Sequence, residues 1–276
     1  MHEISNNLEY TFMENVNIVA TVGMPLYNMG VIAELALEGL ANQKTQYKWE
    51  LIVCEEDTSE KLGLDTIESY RKKLENAGCV SIKYIKLDEW VPLGQKWKII
   101  ADAADDTLCF ILQDGDDYSH SKRIESTCSA FLSSKIDYYD EQFGYFYSFR
   151  LNKTILFNRK RKNEHPCRLN MAWLTSLIKM LPESKQKMNV DNYLFNTLQA
   201  KQRRVLKRNI VKYRNNELYA DGVDTDGYNK ISSRDRYFKI KHDDDFFQHT
   251  DFDALAEIPI LQKFQNKKLT RKRFKD

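Results

Sequence analysis

Three aspartates, Asp114, Asp116 and Asp117, crowd the end of the apolar run in "FILQDGDDYSH" (residues 110–120). Carboxylates this close repel one another unless a cation sits among them. Asp114 and Asp116, one residue apart, can bring oxygens onto one side of a turn and hold a hard divalent ion that leaves positions for substrate phosphates. Gly115 lets the backbone bend tightly between them. That chemistry suits a nucleoside diphosphate, and the plain alternative is a solvated Asp-rich turn. A second acidic stretch, "EEDTSE" (55–60), sets Glu55, Glu56 and Asp57 after another apolar run. In "MPLYN" (24–28), Pro25 is expected to stop a central strand and turn the chain, leaving Tyr27 at the strand mouth with its ring free to stack on a base. In "PLGQKWK" (92–98), Lys96 and Lys98 precede a helix; they either meet a pyrophosphate or solvate the helix face.

The elements that must position these residues alternate through the first half of the chain. Strands are expected at 16–23, 49–55, 80–87 and 107–113, each a short apolar run. Between them, Ile32, Leu35, Ala36 and Leu40 share one helical face, and Leu64, Ile67, Tyr70 and Leu74 mark a second helix that Gly78 stops. A third helix is expected near 95–105. Strand and helix alternating at this spacing imply an α/β fold with a parallel sheet and helices on both faces. Ligands in such sheets bind at the carboxyl ends of the strands, where both acidic stretches fall.

The rhythm changes beyond about residue 135. The aromatic-rich segment 136–157 reads as strands added at a sheet edge, and Leu169, Ala172, Trp173, Ser176, Leu177 and Met180 are spaced as an amphipathic helix ended by Pro182. Another helix is expected at about 190–204, with Asp191 at its start. The last fifty residues are polar and are assigned no regular structure. The chain is expected to divide into an α/β half (1–135), a half of different rhythm (136–220) and a polar, basic C-terminal segment (221–276).

Composition bounds the function class. The 42 Lys and Arg against 40 Asp and Glu leave a net charge of +2, so whole-molecule charge does not argue for a nucleic-acid or membrane partner. The stretches 201–214 and 263–276 are strongly basic all the same. They either solvate the surface or attract a polyanionic acceptor such as DNA, or an anionic membrane surface with a lipid-linked acceptor. Five widely spaced cysteines, with no CxxC pair, read as reduced and mostly buried thiols. No window resembles a signal peptide or a transmembrane helix, and a cytoplasmic protein is expected.

Taken together, "VNIVATVGMPLYN", "ELIVCEEDTSE" and "PLGQKWKIIADAADDTLCFILQDGDDY" resemble glycosyltransferase family 2 across about residues 16–135. The resemblance implies a GT-A fold, Rossmann-like, with a C-terminal acceptor-binding and tail region. It also implies a nucleotide-diphosphate sugar donor, a divalent cation (Mn2+ or Mg2+) and inverting transfer to a hydroxyl acceptor; a UDP-linked donor and a saccharide acceptor, with DNA as the alternative, are expected. On that resemblance Tyr27 stacks on the donor base with Pro25 beside it. Glu56 meets the base or ribose, Asp114 lies near the ribose and metal, and Asp116 is the main metal ligand. Two departures stand out: Glu55-Glu56 replaces the family's Asp pair, and Lys98 stands where Asn is frequent.

Inverting transfer also needs a general base for the acceptor hydroxyl. The resemblance assigns it to Asp191 in preference to a helix-capping role, with Glu183 as the nearest and weaker upstream substitute. His242 is conceivable as an additional metal ligand, and His242 and His249 otherwise read as solvated residues. Alternative functions are a sugar-phosphate nucleotidyltransferase, a glycosyltransferase acting on modified nucleic-acid bases, and a non-catalytic binding protein of the same fold. The first lacks its usual Gly-rich, Arg-bearing loop in "VGMPLYN".

Overall fold

In the computed structural model, residues 8–11, 17–133, 136, 138–141, 143–148, 153–158, 169–185 and 237–241 are described. The expected alternation is present. Strands β2 (Ile18–Leu26), β3 (Lys48–Glu56), β4 (Cys79–Leu87) and β5 (Cys109–Leu112) alternate with helices α1 (Gly30–Ala41), α2 (Leu64–Asn76) and α3 (Leu93–Ala103). Strands β2, β3 and β5 are mostly apolar and buried along nearly their whole length, as strands covered on both faces must be.

These four strands run parallel in the order β4-β3-β2-β5, at the centre of a seven-stranded sheet. Strand β1 (Leu8–Thr11) is antiparallel to β4 at one edge, while β10 (Leu169–Leu174) and β7 (Tyr138–Glu141) close the other edge, both pairings antiparallel. The period-two alternation of the strands feeds two cores. Leu51 and Val53 of β3 join Leu37 of α1 and Ile67 and Leu74 of α2 on one face; Ile52 and Cys54 join Trp97 and Ile100 of α3 on the other. The parallel-centred α/β architecture is the one expected from the sequence.

Three expectations are corrected. Residues 169–174 form strand β10, not the start of a helix, and only Thr175–Ile178 is helical (α5). The alternation decides it: Ala172 packs in one core while Met171 and Trp173 pack in the other, which a helical stripe cannot do. Pro25 does not end its strand, because β2 continues to Leu26 with Pro25 opposite Cys54. The Gly23 carbonyl accepts from Gln113 N–H on the β5 side, so by alternation Pro25 also faces that side, beyond the last β5 pair at Leu112, where no ladder donor is needed. The C-terminal segment does contain a strand, β11 (Tyr237–Lys241).

That strand belongs to a second sheet in the order β6-β11-β8-β9, built with β6 (Asp117–Ser119), β8 (Phe143–Ser148) and β9 (Lys153–Asn158). Strand β6 starts inside the acidic cluster, so the turn 114–116 links the two sheets. Helix α4 (Arg123–Ser133), which the sequence reading did not anticipate, follows it and packs Ile124, Cys128 and Phe131 into the first core. The thiols of Cys54, Cys79, Cys109 and Cys128 are free and buried. Among the described residues, no helix is long and apolar enough to cross a membrane.

Candidate functional site

The parallel strands present their carboxyl ends on one rim, and the exits of β2, β3 and β5 meet there. The β2 exit turns at Asn28, which adopts a left-handed φ of 50°, a conformation Asn tolerates better than most side chains. Gly30 N–H then donates to the Glu60 carbonyl at 2.7 Å, tying this turn to the loop after β3.

Alternation sends the two glutamates at the β3 exit to opposite faces. Glu55 is enclosed: its oxygens accept from the N–H groups of Leu62 (2.6 Å) and Gly63 (3.0 Å) at the entry to α2, and from Tyr84 Oη (3.1 Å). It is a structural clamp for the loop 57–63. Glu56, 2% exposed, faces α3 and forms an ion pair with the buried Lys96 while accepting the Val91 N–H at 3.1 Å. Lys96 Nζ also donates to the Leu26 carbonyl at 2.6 Å and stands 5.3 Å from the centre of the Tyr27 ring, a cation–π distance. Burial pulls the Lys96 pKa below its ordinary value, and the Glu56 carboxylate offsets part of that pull. One ammonium therefore holds the exits of β2 and β3 together beneath Tyr27.

The β5 exit is held by Gln113, whose buried amide makes four hydrogen bonds. Its Nε2 donates to the carbonyls of Asp114 (2.8 Å) and Asp117 (2.7 Å), and its Oε1 accepts from Ser119 Oγ (2.6 Å) and Arg123 Nη1 (2.5 Å). Arg123, 1% exposed, also donates to Ser119 Oγ at 2.8 Å and to the Leu112 carbonyl, so a buried guanidinium underlies the acidic turn. Asp117 N–H donates to the Asp114 carbonyl at 3.2 Å and closes the turn. Asp114 is half-buried and Asp116 is buried.

Gly115 is required here for close approach and not for a left-handed backbone. Its φ is not positive, but a Cβ would overlap a Leu26 methyl and lie 2.6 Å from Met29 Sδ. The acidic turn is thereby seated against the β2 exit. Gly39 of α1 admits the following strand in the same way, since a Cβ there would lie 2.6 Å from Ser119 N.

Of the expected site residues, the structure brings Pro25, Tyr27, Glu56, Lys96, Asp114 and Asp116 to one rim. Lys98 pairs with Asp102 along α3 and stands apart from the Glu56–Lys96 contact. Asp191, its helix 190–204, His242, His249 and both basic stretches lie outside the described residues. Glu183 is exposed, and the next residue, Ser184, donates its N–H to Gln95 Oε1 at 2.9 Å, tying that segment to the first turn of α3. No group of three or more His, Cys, Asp or Glu side chains poised for a metal occurs among the described residues. The acidic turn offers a two-carboxylate, all-oxygen donor set, which fits a hard cation that takes its other ligands from phosphate and water.

Sequence reasoning missed Gln113, Arg123 and the clamp made by Glu55. Signals existed: Gln113 is the first polar residue after a buried strand, and Arg123 is the one charged residue among the inward positions of its helix. Lys96 likewise lies on the stripe of α3 shared with Trp97, Ile100 and Ala101.

No protein-family model and no curated protein matches this chain. Among solved structures, TarS 1-349 from S. aureus in complex with UDP superposes with a TM-score of 0.53 at 16% identity, covering 81% of this chain and 61% of that one. The same protein in complex with UDP-GlcNAc gives 0.52 at 14% identity, covering 83% and 60%. Without a ligand named, it gives 0.51 at 16%, covering 81% and 60%. This chain spans about 60% of the length of those structures. What the likeness establishes is the fold: a GT-A-like α/β architecture with a mostly parallel central sheet flanked by helices.

Proposed function

We propose that the protein is a glycosyltransferase that takes its sugar from a nucleoside-diphosphate sugar, with uridine as the nucleoside. The observation that carries the reading is the convergence on one rim of a half-buried aromatic ring (Tyr27), an adjacent carboxylate and ammonium (Glu56 and Lys96) and an acidic turn (Asp114–Asp116) seated against the same strand exit. The shared fold of TarS, crystallised with UDP and UDP-GlcNAc, supports the choice of nucleotide.

Each group has a part that its chemistry suits. Tyr27 stacks on the base. Uracil presents an N–H flanked by carbonyl oxygens, which complements a carboxylate acceptor beside an ammonium donor; adenine and cytosine present a ring-nitrogen acceptor that Glu56 would repel. Asp114 and Asp116 are the residues that would hold a magnesium or manganese ion, whose contribution when bound is to neutralise charge on the diphosphate. Gln113 and Arg123 keep that turn in place as charge moves.

Transfer with inversion is a single displacement. The acceptor oxygen bonds to the anomeric carbon as the bond from that carbon to the diphosphate oxygen breaks, and the acceptor's proton passes to a carboxylate base. Asp191 is the proposed base on the family resemblance. Glu183 is a second candidate because its neighbour Ser184 is tied to Gln95, next to Lys96.

The reading is tested by incubating the protein with a panel of nucleotide sugars and manganese or magnesium, without acceptor, and measuring slow donor hydrolysis. Hydrolysis of a UDP-sugar in preference to the GDP-, ADP- and CDP-linked ones is expected. Turnover of none, or preference for the GDP-, ADP- or CDP-linked sugar, contradicts the proposal.

A further inference from the structure

All four tryptophans lie within the described residues, and three are core: Trp49 is 0%, Trp97 2% and Trp173 1% exposed. Trp90 is 42% exposed. A single exposed indole is ordinary on a protein surface, but the position of this one in the fold suggests a use.

Trp90 lies in the loop 88–92 between β4 and α3, and that loop is pinned at several points. Asp57 N–H donates to the Leu87 carbonyl at 2.9 Å where β4 ends, and Val91 N–H donates to Glu56 Oε1 at 3.1 Å. The Pro92 carbonyl accepts from the N–H groups of Gln95 (2.9 Å) and Lys96 (3.0 Å). Trp90 is thus one residue from a backbone contact to Glu56, on a loop anchored to β3 and α3.

The strand order gives the direction. Along the rim β4-β3-β2-β5, the acidic turn stands at the β5 end, Tyr27 and Glu56 stand at the middle exits, and the Trp90 loop stands at the β4 end. A nucleoside diphosphate with its phosphates at Asp114 and Asp116 directs its base toward Glu56 and Trp90. We propose that Trp90 is an aromatic wall at the nucleobase end of the donor site, beyond the Glu56–Lys96 pair. The proposal rests on the donor reading above and adds to it a residue that sets affinity. An indole face stacks on any base, so Trp90 strengthens binding while selection among bases remains with Glu56 and Lys96.

Because the other tryptophans are buried, iodide quenching of the intrinsic fluorescence reports on Trp90. Saturating UDP is expected to protect the full chain from iodide. Trp90→Ala is expected to weaken UDP binding by calorimetry about 5- to 150-fold, the range for losing one base–aromatic stack. Trp90→Phe should stay close to wild type, and inorganic pyrophosphate should bind wild type and Trp90→Ala equally. Unchanged UDP affinity in Trp90→Ala, no iodide protection, or an equal loss of pyrophosphate binding each overturns the wall while leaving the donor reading intact. Failure of the wild-type protein to bind any nucleoside diphosphate removes the donor reading and the wall with it.

Discussion

Strand β3 pairs a buried glutamate with a lysine toward each end, and the two pairs are built differently. Toward its start, Glu50 is 0% exposed, accepts from Thr21 Oγ1 (2.6 Å) and Asp105 N–H (2.9 Å) on one oxygen, and forms an ion pair with the half-buried Lys83 Nζ (3.0 Å) through the other. The hydroxyls of Thr21, Thr107 and Thr175 continue the network at 2.8 Å spacings, and Lys83 also reaches Asp105 at 2.6 Å. Burial depresses the Lys83 pKa, but Asp105 and Glu50 together outweigh it and the net shift is upward. At the other end, Lys96 faces one carboxylate partner, the Leu26 carbonyl and the Tyr27 ring, and its pKa is shifted downward by burial.

The two ends share composition and differ in surroundings. Around Glu50 the partners are strand starts and the loop 103–107, which knit the sheet to its own connections. Around Glu56 the partners are Lys96 and the Val91 N–H, on the rim of strand exits that also carries the Trp90 loop and the acidic turn. A buried ion pair is therefore weak evidence for function by itself; what lies beside it carries the argument.

The largest expected effect comes from removing one partner of the more enclosed ion pair. Lys96→Met leaves the Glu56 carboxylate buried without its ammonium, at a cost of about 3–5 kcal/mol in unfolding free energy measured with urea. The double variant Lys96→Met/Glu56→Gln is expected to regain most of that stability without regaining UDP affinity. Its counterpart Lys83→Met/Glu50→Gln should recover stability and keep UDP binding. If both doubles bind UDP as wild type does, the contrast between the two ends fails.

A middle-sized effect is expected at the Gln113 clip. Gln113→Leu removes the amide donor to the Asp114 and Asp117 carbonyls and the acceptor of Ser119 and Arg123, costing about 1–3 kcal/mol of stability. It should also weaken manganese-supported UDP binding about 10- to 100-fold, as losing a group that orients a ligand does. A stability loss with unchanged metal dependence would reduce the clip to a packing feature.

The smallest effect is a pH dependence. Burial raises the Glu50 pKa above 4.5, with Thr21 and Lys83 acting against it. A carboxyl whose folded pKa exceeds its unfolded one favours folding fully below the unfolded value, and that contribution is lost as pH rises through the folded value. The stability of wild type relative to Glu50→Gln should therefore fall as pH rises above 4.5, read by denaturation at a series of pH values. A difference that stays flat or rises contradicts this assignment.

Much of the parallel half was legible in the chain because its elements obey one rule each. The run 51–54 is apolar without a break, and Ile67, Tyr70 and Leu74 recur at helical spacing. The segment 169–174 was misread because a short apolar run carries no decisive period, and pairing with β5 chose the strand. Strand β1 escaped notice since a four-residue edge strand is defined by its neighbour. At the site, residue types pointed to Tyr27, Glu56, Asp114 and Asp116, but side-chain pairing is a tertiary fact. Nothing local distinguishes Glu55, which clamps α2, from Glu56, which binds Lys96, until alternation assigns them to opposite faces. Gly115 was expected for its flexibility and is needed for its missing side chain.

The most direct measurement is calorimetric titration of UDP into the full chain with manganese, after chelation of the metal, and into Asp116→Asn. Saturable binding with manganese is predicted, at least about tenfold weaker after chelation and equally weak in Asp116→Asn with or without the metal. Absence of UDP binding to wild type, or binding that ignores both the metal and Asp116, would contradict a donor site built on the acidic turn.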